Sequence, residues 1–327
     1  MKLVLLHTPD ALGPPEDPVL AQVEGALREG GHATARVSAA NAVQPIAEAL
    51  RREAPDLVFN LAESFAGKSA LESNVAALLN LLDLRYTGSS PAGLLLAGDK
   101  SVAKKILAFH GIPTPEFATV HRGAVDWAGE LSFPLIIKPT QEDASLGVST
   151  RSVVKDVREL LETIERMRDE FGQPALVEEF IDGREFYVGV LGNEQPRALP
   201  VMELDFTGFP EDTPRIASFA AKWGEDGAGS GQEYAGTRSI FPQSLEPELE
   251  QRMQKLAVQA FQALRLRDYG RIDMRVKESG DIYILEVNPN CYLEQGGEFA
   301  RAAARSGLTH PDLVRGIVEL ASARYAH

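Results

Sequence analysis

The sequence predicts an α/β protein made of α+β lobes, and three observations carry that reading. Residues 1–97 alternate strand-like and helix-like segments, the succession that builds a parallel sheet covered by helices. The chain is 327 residues long, too long for one simple core and suited to two or three lobes. Near its end, Gly270 to Asn290 alternates apolar and polar residues in two arms around Glu278-Ser279-Gly280-Asp281, the pattern of a β-hairpin.

In order along the chain, Leu3–Leu6 reads as a first buried strand, and a helix opens near Asp17-Pro18 and closes at Gly30-Gly31. Strand Thr34–Val37, a helix around Ile46–Arg52 and strand Leu57–Leu61 follow. Ser69 and Glu72 have the spacing of a capping box, opening a helix with the stripe Val75, Leu78, Leu79, Leu82. No G-x-G-x-x-G is present, so a dinucleotide fold is not indicated. A helix from Asp99 to Phe109 leads through Gly111-Ile112-Pro113 into a second region. There, Phe133–Pro139 is a β-rich run containing Lys138, and Ala175–Phe180 is a strand ending in carboxylates. The loop Thr140–Thr150 and a charged helix from about Lys155 to Arg168 lie between them. The third region begins near Arg184–Val190 and holds the hairpin, together with a polar stretch, Asp205 to Thr237, too long for an ordinary connection. A lid and a disordered segment both fit that stretch.

In the hairpin, a turn centred between Ser279 and Gly280 sets Asp273 opposite Glu286 and Arg271 opposite Asn288. Ile272, Met274, Val276, Tyr283, Leu285 and Val287 then form a core face. Opposed carboxylates repel, by roughly 0.2–1 kcal/mol in the open and by more where water is excluded. A hard divalent cation relieves this best, because Asp273, Glu286 and Asn288 all offer oxygen and no His or Cys joins them. Mg²⁺ is the natural candidate, and it usually arrives with a nucleotide. A solvated polar face with Arg271 neutralising a carboxylate is the alternative.

Composition narrows the function classes. With 44% hydrophobic and 24% charged residues the chain is globular, and a net charge of −14 opposes binding to a nucleic-acid backbone. No stretch approaches the roughly 20 apolar residues of a membrane span, and the start is too short in apolar residues for a signal peptide, so a cytoplasmic protein is expected. The single cysteine, Cys291, excludes an internal disulfide. It reads as a small buried thiol, because no His is paired with it. The six histidines show no metal-ligand spacing.

Taken together and in order, Tyr86-Thr87-Gly88-Ser89, Asp99-Lys100, Lys138-Pro139, Glu142 to Ser149, Val177–Phe180, Gly183–Phe186, Gly270–Asp273 and Leu285–Asn288 resemble the ATP-grasp enzymes, in particular D-alanine–D-alanine ligases. The resemblance implies an ATP-grasp fold with three domains, 1–97, 98–183 and 184–327, and nucleotide between the central and C-terminal ones. It implies that Lys100, Lys138 and Lys222 contact phosphates and that Ser145 belongs to the phosphate-covering loop. Glu178 and the backbone of Glu179, Phe180 and Ile181 would read adenine, and Glu185 would accept the ribose hydroxyls. Asp273, Glu286 and Asn288 would bind two Mg²⁺ ions, replaceable by Mn²⁺, while Arg271 and Lys222 serve the chemistry at the acyl phosphate and the phosphates. The implied reaction joins a small-molecule acid to an amine with release of ADP and phosphate, in a protein that the likeness expects to be a homodimer.

Departures from the family pattern concern the substrate side. Ala144 stands where the ligases carry a serine that links the active-site loops, and Trp223 replaces the tyrosine after the loop lysine. The first strand runs into Thr8-Pro9-Asp10-Ala11-Leu12-Gly13, without the glutamate motif that grips the first D-alanine. Bulky Tyr292 and anionic Glu294 follow Asn288 where a small-residue turn and a serine are usual. Glu294 would bind a cationic group of the acceptor or cap the helix beginning near Glu298. Three readings stay open: a carboxylate–amine ligase for amino-acid-like substrates, a D-alanine–D-alanine ligase, and a non-catalytic ATP-binding regulator.

Overall fold

A run of four leucine and valine residues, Leu3 to Leu6, has no exposed surface, the signature of a strand covered on both faces. In the computed structural model, which describes residues 1–9, 17–121, 124–128, 130–209, 213–224 and 231–326, this run is β1 (Lys2–His7). It is the middle of a parallel sheet ordered β2 (Ala33–Ser38), β1, β3 (Leu57–Leu61). Helix α1 (Pro18–Glu29) starts at Asp17, whose carboxylate accepts from the Val19 N–H, a cap worth about 1 kcal/mol. Helices α2 (Val43–Glu53) and α3 (Glu72–Leu81) follow in the same lobe. Val75 and Leu79 of the expected stripe are buried, and Leu78 and Leu82 are partly so.

The capping box expected at Ser69 and Glu72 does not form. Ser69–Leu71 is a 3₁₀ turn, and neither it nor α3 has a side-chain cap. Glu72 turns inward instead, where its carboxylate accepts from Asn290 at 2.9 Å. A partner 218 residues away outweighs a weak local cap.

Helices α4 (Pro91–Gly98) and α5 (Lys100–Phe109) lead into a five-stranded antiparallel sheet. Its order is β5 (Ala124–Ala128), β4 (Phe117–His121), β8 (Ala175–Glu179), β6 (Leu135–Pro139), β7 (Val153–Val154), with α6 (Val157–Phe171) packed on β6 and β8. A second antiparallel sheet gathers β9 (Arg184–Leu191), β10 (Arg197–Ala198), β11 (Met202–Asp205), β12 (Arg238–Ile240), β13 (Tyr269–Val276) and β14 (Ile282–Asn288). The segment between β11 and β12 carries two short helices, α7 (Phe219–Trp223) and α8 (Gln232–Ala235); residues 210–212 and 225–230 of the expected lid, and Asp10–Gly13 of the first loop, lie outside the described residues. Helices α9 (Pro247–Ala263), α10 (Glu298–Arg305) and α11 (His310–Arg324) complete the chain.

The β13–β14 pairing corrects half of the expected register. Asp273 pairs with Glu286 and Arg271 with Asn288, as the turn predicts, but the register slips by one residue beyond Asp273, so that Met274 faces Ile284 and Val276 faces Ile282. Such a bulge exchanges faces. Ile282 and Ile284 enter the core in place of Tyr283 and Leu285, and Leu285 turns to the cleft described below.

Sequence-distant elements share cores. Helices α10 and α11 pack with β1, α1 and Tyr269, and Ala103 and Leu107 of α5 pack with Phe186, Ile272 and Ile284 of the second sheet. The Tyr86–Ser89 motif is a junction: the Gly88 N–H donates to Asp268 at 2.8 Å, and the Asp268 carboxylate also receives a bidentate Arg324 at 2.9 and 2.8 Å. Gly88 is required there by its φ of +86°.

Candidate active site

The two antiparallel sheets enclose a cleft between them. Eleven residues expected in the site line it: Lys100, Lys138, Ser145, Glu178, Glu179, Phe180, Ile181, Glu185, Lys222, Asp273 and Glu286. Asn288 and Arg271 face each other beyond Asp273 and Glu286, and Tyr292 and Glu294 lie further on, toward α1.

The local chemistry explains each placement. Asp99 caps α5 by accepting from Ser101 and Val102 at 3.0 and 3.1 Å, which fixes Lys100 in the first turn. A cation there opposes the helix dipole. Lys100 is nevertheless buried, because its ammonium meets Glu286 at 2.7 Å and donates to the Glu142 carbonyl. Burial would raise the Glu286 pKa, but the charges of Lys100 and Lys222 and the Lys100 hydrogen bond outweigh it and hold it at about 2. On Asp273 the balance is reversed: burial prevails over Arg271 and raises its pKa.

Arg271 closes on Asp273 as a planar fork, with Nε at 2.8 Å from one oxygen and Nη2 at 2.9 Å from the other, and stands 3.6 Å from Glu298. The arginine–carboxylate pairing, considered above as the alternative to a metal, is thus present. The oxygen set still suits a hard cation: two carboxylates face each other across a ladder rung, and the amide of Asn288 stands one rung further. Among the described residues no three His, Cys, Asp or Glu stand together as a group that could hold a metal ion.

Glu178 is buried completely and forms ion pairs with Lys104 and, at 2.9 Å, with Lys138. Burial opposes its ionisation, but the two ammonium groups prevail and keep its pKa below the usual carboxylate value. Its carboxylate is therefore engaged by two lysines while it lines the cleft. The N–H groups of Glu179 and Phe180 are engaged too, by the carbonyls of Glu116 and Pro134, both at 2.9 Å. Ser145 donates its hydroxyl to the Ala217 carbonyl at 2.7 Å, which joins the 142–149 loop to the segment carrying Lys222.

The loop link missing a serine at Ala144 is made another way. The indole N–H of Trp223 donates to the Ala144 carbonyl at 3.0 Å, so the backbone replaces the side chain. Its ring also meets Tyr292 edge-on at 6.5 Å, and the Tyr292 hydroxyl donates to Asp17 at 2.9 Å. Glu294 does not cap α10; Gly297 is the cap, and the Glu294 carboxylate accepts from Gln22 of α1 at 3.3 Å.

Two residues absent from the sequence-derived set also belong to the site. Lys104 looks like one of several surface lysines, and only the fold shows it 1% exposed against Glu178. Arg275 follows two residues after Asp273 at the strand period, a signal that pointed to the cleft face but not to a role.

Cys291 is buried, and burial, only partly offset by Arg271, pushes its thiol up to about 12. We expect alkylation by iodoacetamide at pH 8 to be at least about 100-fold slower in the native protein than in urea. Rapid labelling of the folded chain would show the thiol to be open and reactive.

Comparison with known proteins places the chain in a family. Residues 106–319 match the model of the D-ala D-ala ligase C-terminus. An uncharacterised protein, y4sG, of Sinorhizobium fredii is 31% identical over 95% of this chain and 89% of its own length. The D-alanine–D-alanine ligase of Pelotomaculum thermopropionicum is 31% identical over 84% of this chain and 83% of its own. In structure, the D-alanine–D-alanine ligase of Bacillus anthracis, solved in complex with ATP, superposes with a TM-score of 0.74 at 21% identity, covering 99% of this chain and 98% of that one. With its lysine-lined cleft between two antiparallel sheets and a parallel-sheet lobe in front, the chain belongs to the D-alanine–D-alanine ligase family, an ATP-grasp protein of the ADP-forming ligase class.

Proposed function

We propose that this protein joins a carboxylate to an amine at the expense of ATP, through an acyl phosphate, on amino-acid-like substrates. The observation that carries the reading is the concentration of Lys100, Lys138 and Lys222 around a cleft whose end holds the opposed Asp273 and Glu286. Three cations suit a triphosphate, and two carboxylates suit the cation that accompanies it. Asp273, Glu286 and Asn288 would hold magnesium, or manganese in its place, and the ion would supply charge neutralisation at the phosphates.

The chain's own residues do the remaining work. Lys138, fixed by Glu178, and Lys100 hold the phosphates from the floor of the cleft, and Lys222 approaches from α7. Glu185 accepts the ribose hydroxyls. The substrate carboxylate attacks the γ-phosphate and ADP leaves, and the amine then displaces phosphate from the acyl phosphate, since an amine cannot displace an oxygen from a carboxylate directly at neutral pH. Arg271, whose planar fork suits an oxyanion, steadies the acyl phosphate and the tetrahedral species that the amine forms from it. Most of the catalysis is positioning and charge stabilisation.

Incubation with Mg·ATP and paired amino acids is expected to release phosphate only when a suitable acid and amine are both present, with a product heavier than the acid by the amine less water. Phosphate release that ignores the amine, or nucleotide binding with no product across a broad set of pairs, would refute the ligase reading in favour of a nucleotide-binding regulator. A second reading, ligation of D-alanine to D-alanine, is supported by the 31% identity to a relative so named. Tyr292 and Glu294 at the substrate end count against it, being bulky and anionic where a carboxylate would be received. D-alanine supplied alone separates the two: brisk formation of the dipeptide establishes the second reading.

A further inference from the structure

Arg275 is 2% exposed, and the reading above gives it no task. In the β9–β13 ladder it stands opposite Glu185. Its Nε and Nη2 both donate to one Glu185 oxygen, at 3.2 and 2.8 Å, while the Tyr187 hydroxyl stands 3.2 Å from the other. Nη1 donates to the Ile181 carbonyl at 2.9 Å, and Nη2 also donates to the Arg215 carbonyl. The rings of Phe180 and Phe206 lie 5.5 and 5.9 Å from the guanidinium.

Those three acceptors belong to three different parts of the cleft. Ile181 lies on the link between the two antiparallel sheets. That link hugs β13 so closely that a Cβ on Gly183 would sit 2.2 Å from the Val276 carbonyl. Glu185 is part of the acidic wall. Arg215 opens the segment leading to Lys222, and the next residues, Ile216 and Ala217, line the cleft. The far side of this segment is sewn to the 142–149 loop, by Ser145 on the Ala217 carbonyl, by the Phe219 N–H on the Val148 carbonyl at 3.0 Å, and by Trp223 on the Ala144 carbonyl. The near side is anchored at the Arg275 guanidinium, whose rigid planar fork donates to three acceptors spread around it, a geometry that the compact ammonium of a lysine does not match.

The geometry points to Arg275 as a positioning residue that clasps the Lys222-bearing segment to the nucleotide wall, setting the carboxylate of Glu185 and the closure of the cleft together. The part of this inference that concerns nucleotide rests on the proposed ATP site; the clasp itself does not.

Trypsin cleavage after Lys222 reads the clasp in nucleotide-free protein. Arg275→Lys keeps a cation against Glu185 but gives up the fork. We expect at least about tenfold faster cleavage after Lys222 and after Arg215, a factor within the worth of one charge-assisted hydrogen bond, and unchanged cleavage outside the segment that carries them. The KM for ATP should rise by about the same factor, with the KM values of the other substrates changing less than about twofold. Should that variant fail to fold, Arg275→Met combined with Glu185→Met removes the charge pair as a unit and supplies the same cleavage test. Cleavage after Lys222 at the wild-type rate in a folded variant overturns the clasp. Wild-type protein that binds no ATP would sink the ATP site while leaving the cleavage comparison to decide the clasp by itself.

Discussion

Glu286→Gln lowers turnover by about a thousandfold while leaving the fold in place. Losing a group that steadies charge in a transition state costs about that much, and Gln keeps the shape of Glu while removing the charge that would hold a cation. The fold survives because Glu286 is only partly buried, with 25% of its side chain exposed, and Lys100 keeps the Glu142 carbonyl and Asp143 as partners. The stability loss should be about 1–3 kcal/mol, the usual worth of a charged hydrogen bond. Its pH dependence has a definite sign. The folded pKa of Glu286 is depressed from 4.5 to about 2, so the pair stabilises wild type above pH 4.5 and that stabilisation is lost as pH falls toward 2. The variant should lack this component of acid unfolding. Turnover within threefold of wild type would eliminate Glu286 as a metal ligand.

The second large effect is on stability. Glu178→Gln leaves the ammonium groups of Lys104 and Lys138 without their shared counter-charge, Lys104 at a site almost wholly shut off from water and Lys138 at the cleft wall. Breaking a buried pair in this way costs about 3–5 kcal/mol, a large fraction of what a domain has to spare. Urea unfolding should show that loss. Adding Lys104→Met should restore much of it, because the double change removes both the stranded cation and its missing partner. The KM for ATP should also rise, since Lys138 loses its anchor. If Glu178 chiefly read the base, stability would hardly move and only the preference among nucleotides would change, which is a clear contrary result.

Legibility in the sequence followed the range of the forces involved. The hairpin could be read because strand alternation and turn chemistry are local, and both Asp273 opposite Glu286 and Arg271 opposite Asn288 follow from them. The bulge beyond Asp273 could not, since it answers to the core that takes Ile282 and Ile284, formed in part by α5 and α9. The Ser69–Glu72 box satisfied every local rule and still failed, because Asn290 offers Glu72 a better partner inside the molecule. Lys104 illustrates the same limit: nothing in Lys100-Ser101-Val102-Ala103-Lys104-Lys105 tells which lysine is buried.

The sequence by itself determined the α/β class, the strand–helix succession of the first lobe, and the pairing of Asp273 with Glu286 and of Arg271 with Asn288, while the lysines and the other cleft residues came from the family likeness. Periodicity, caps and turns act over a few residues and need no knowledge of the rest of the chain. Only the tertiary structure decided how those groups are paired: Glu178 with two lysines, Arg271 with Asp273, and Arg275 with a carboxylate and two carbonyls. A charge brought out of water must find a partner, and which partner lies within reach depends on contacts between residues far apart in the chain.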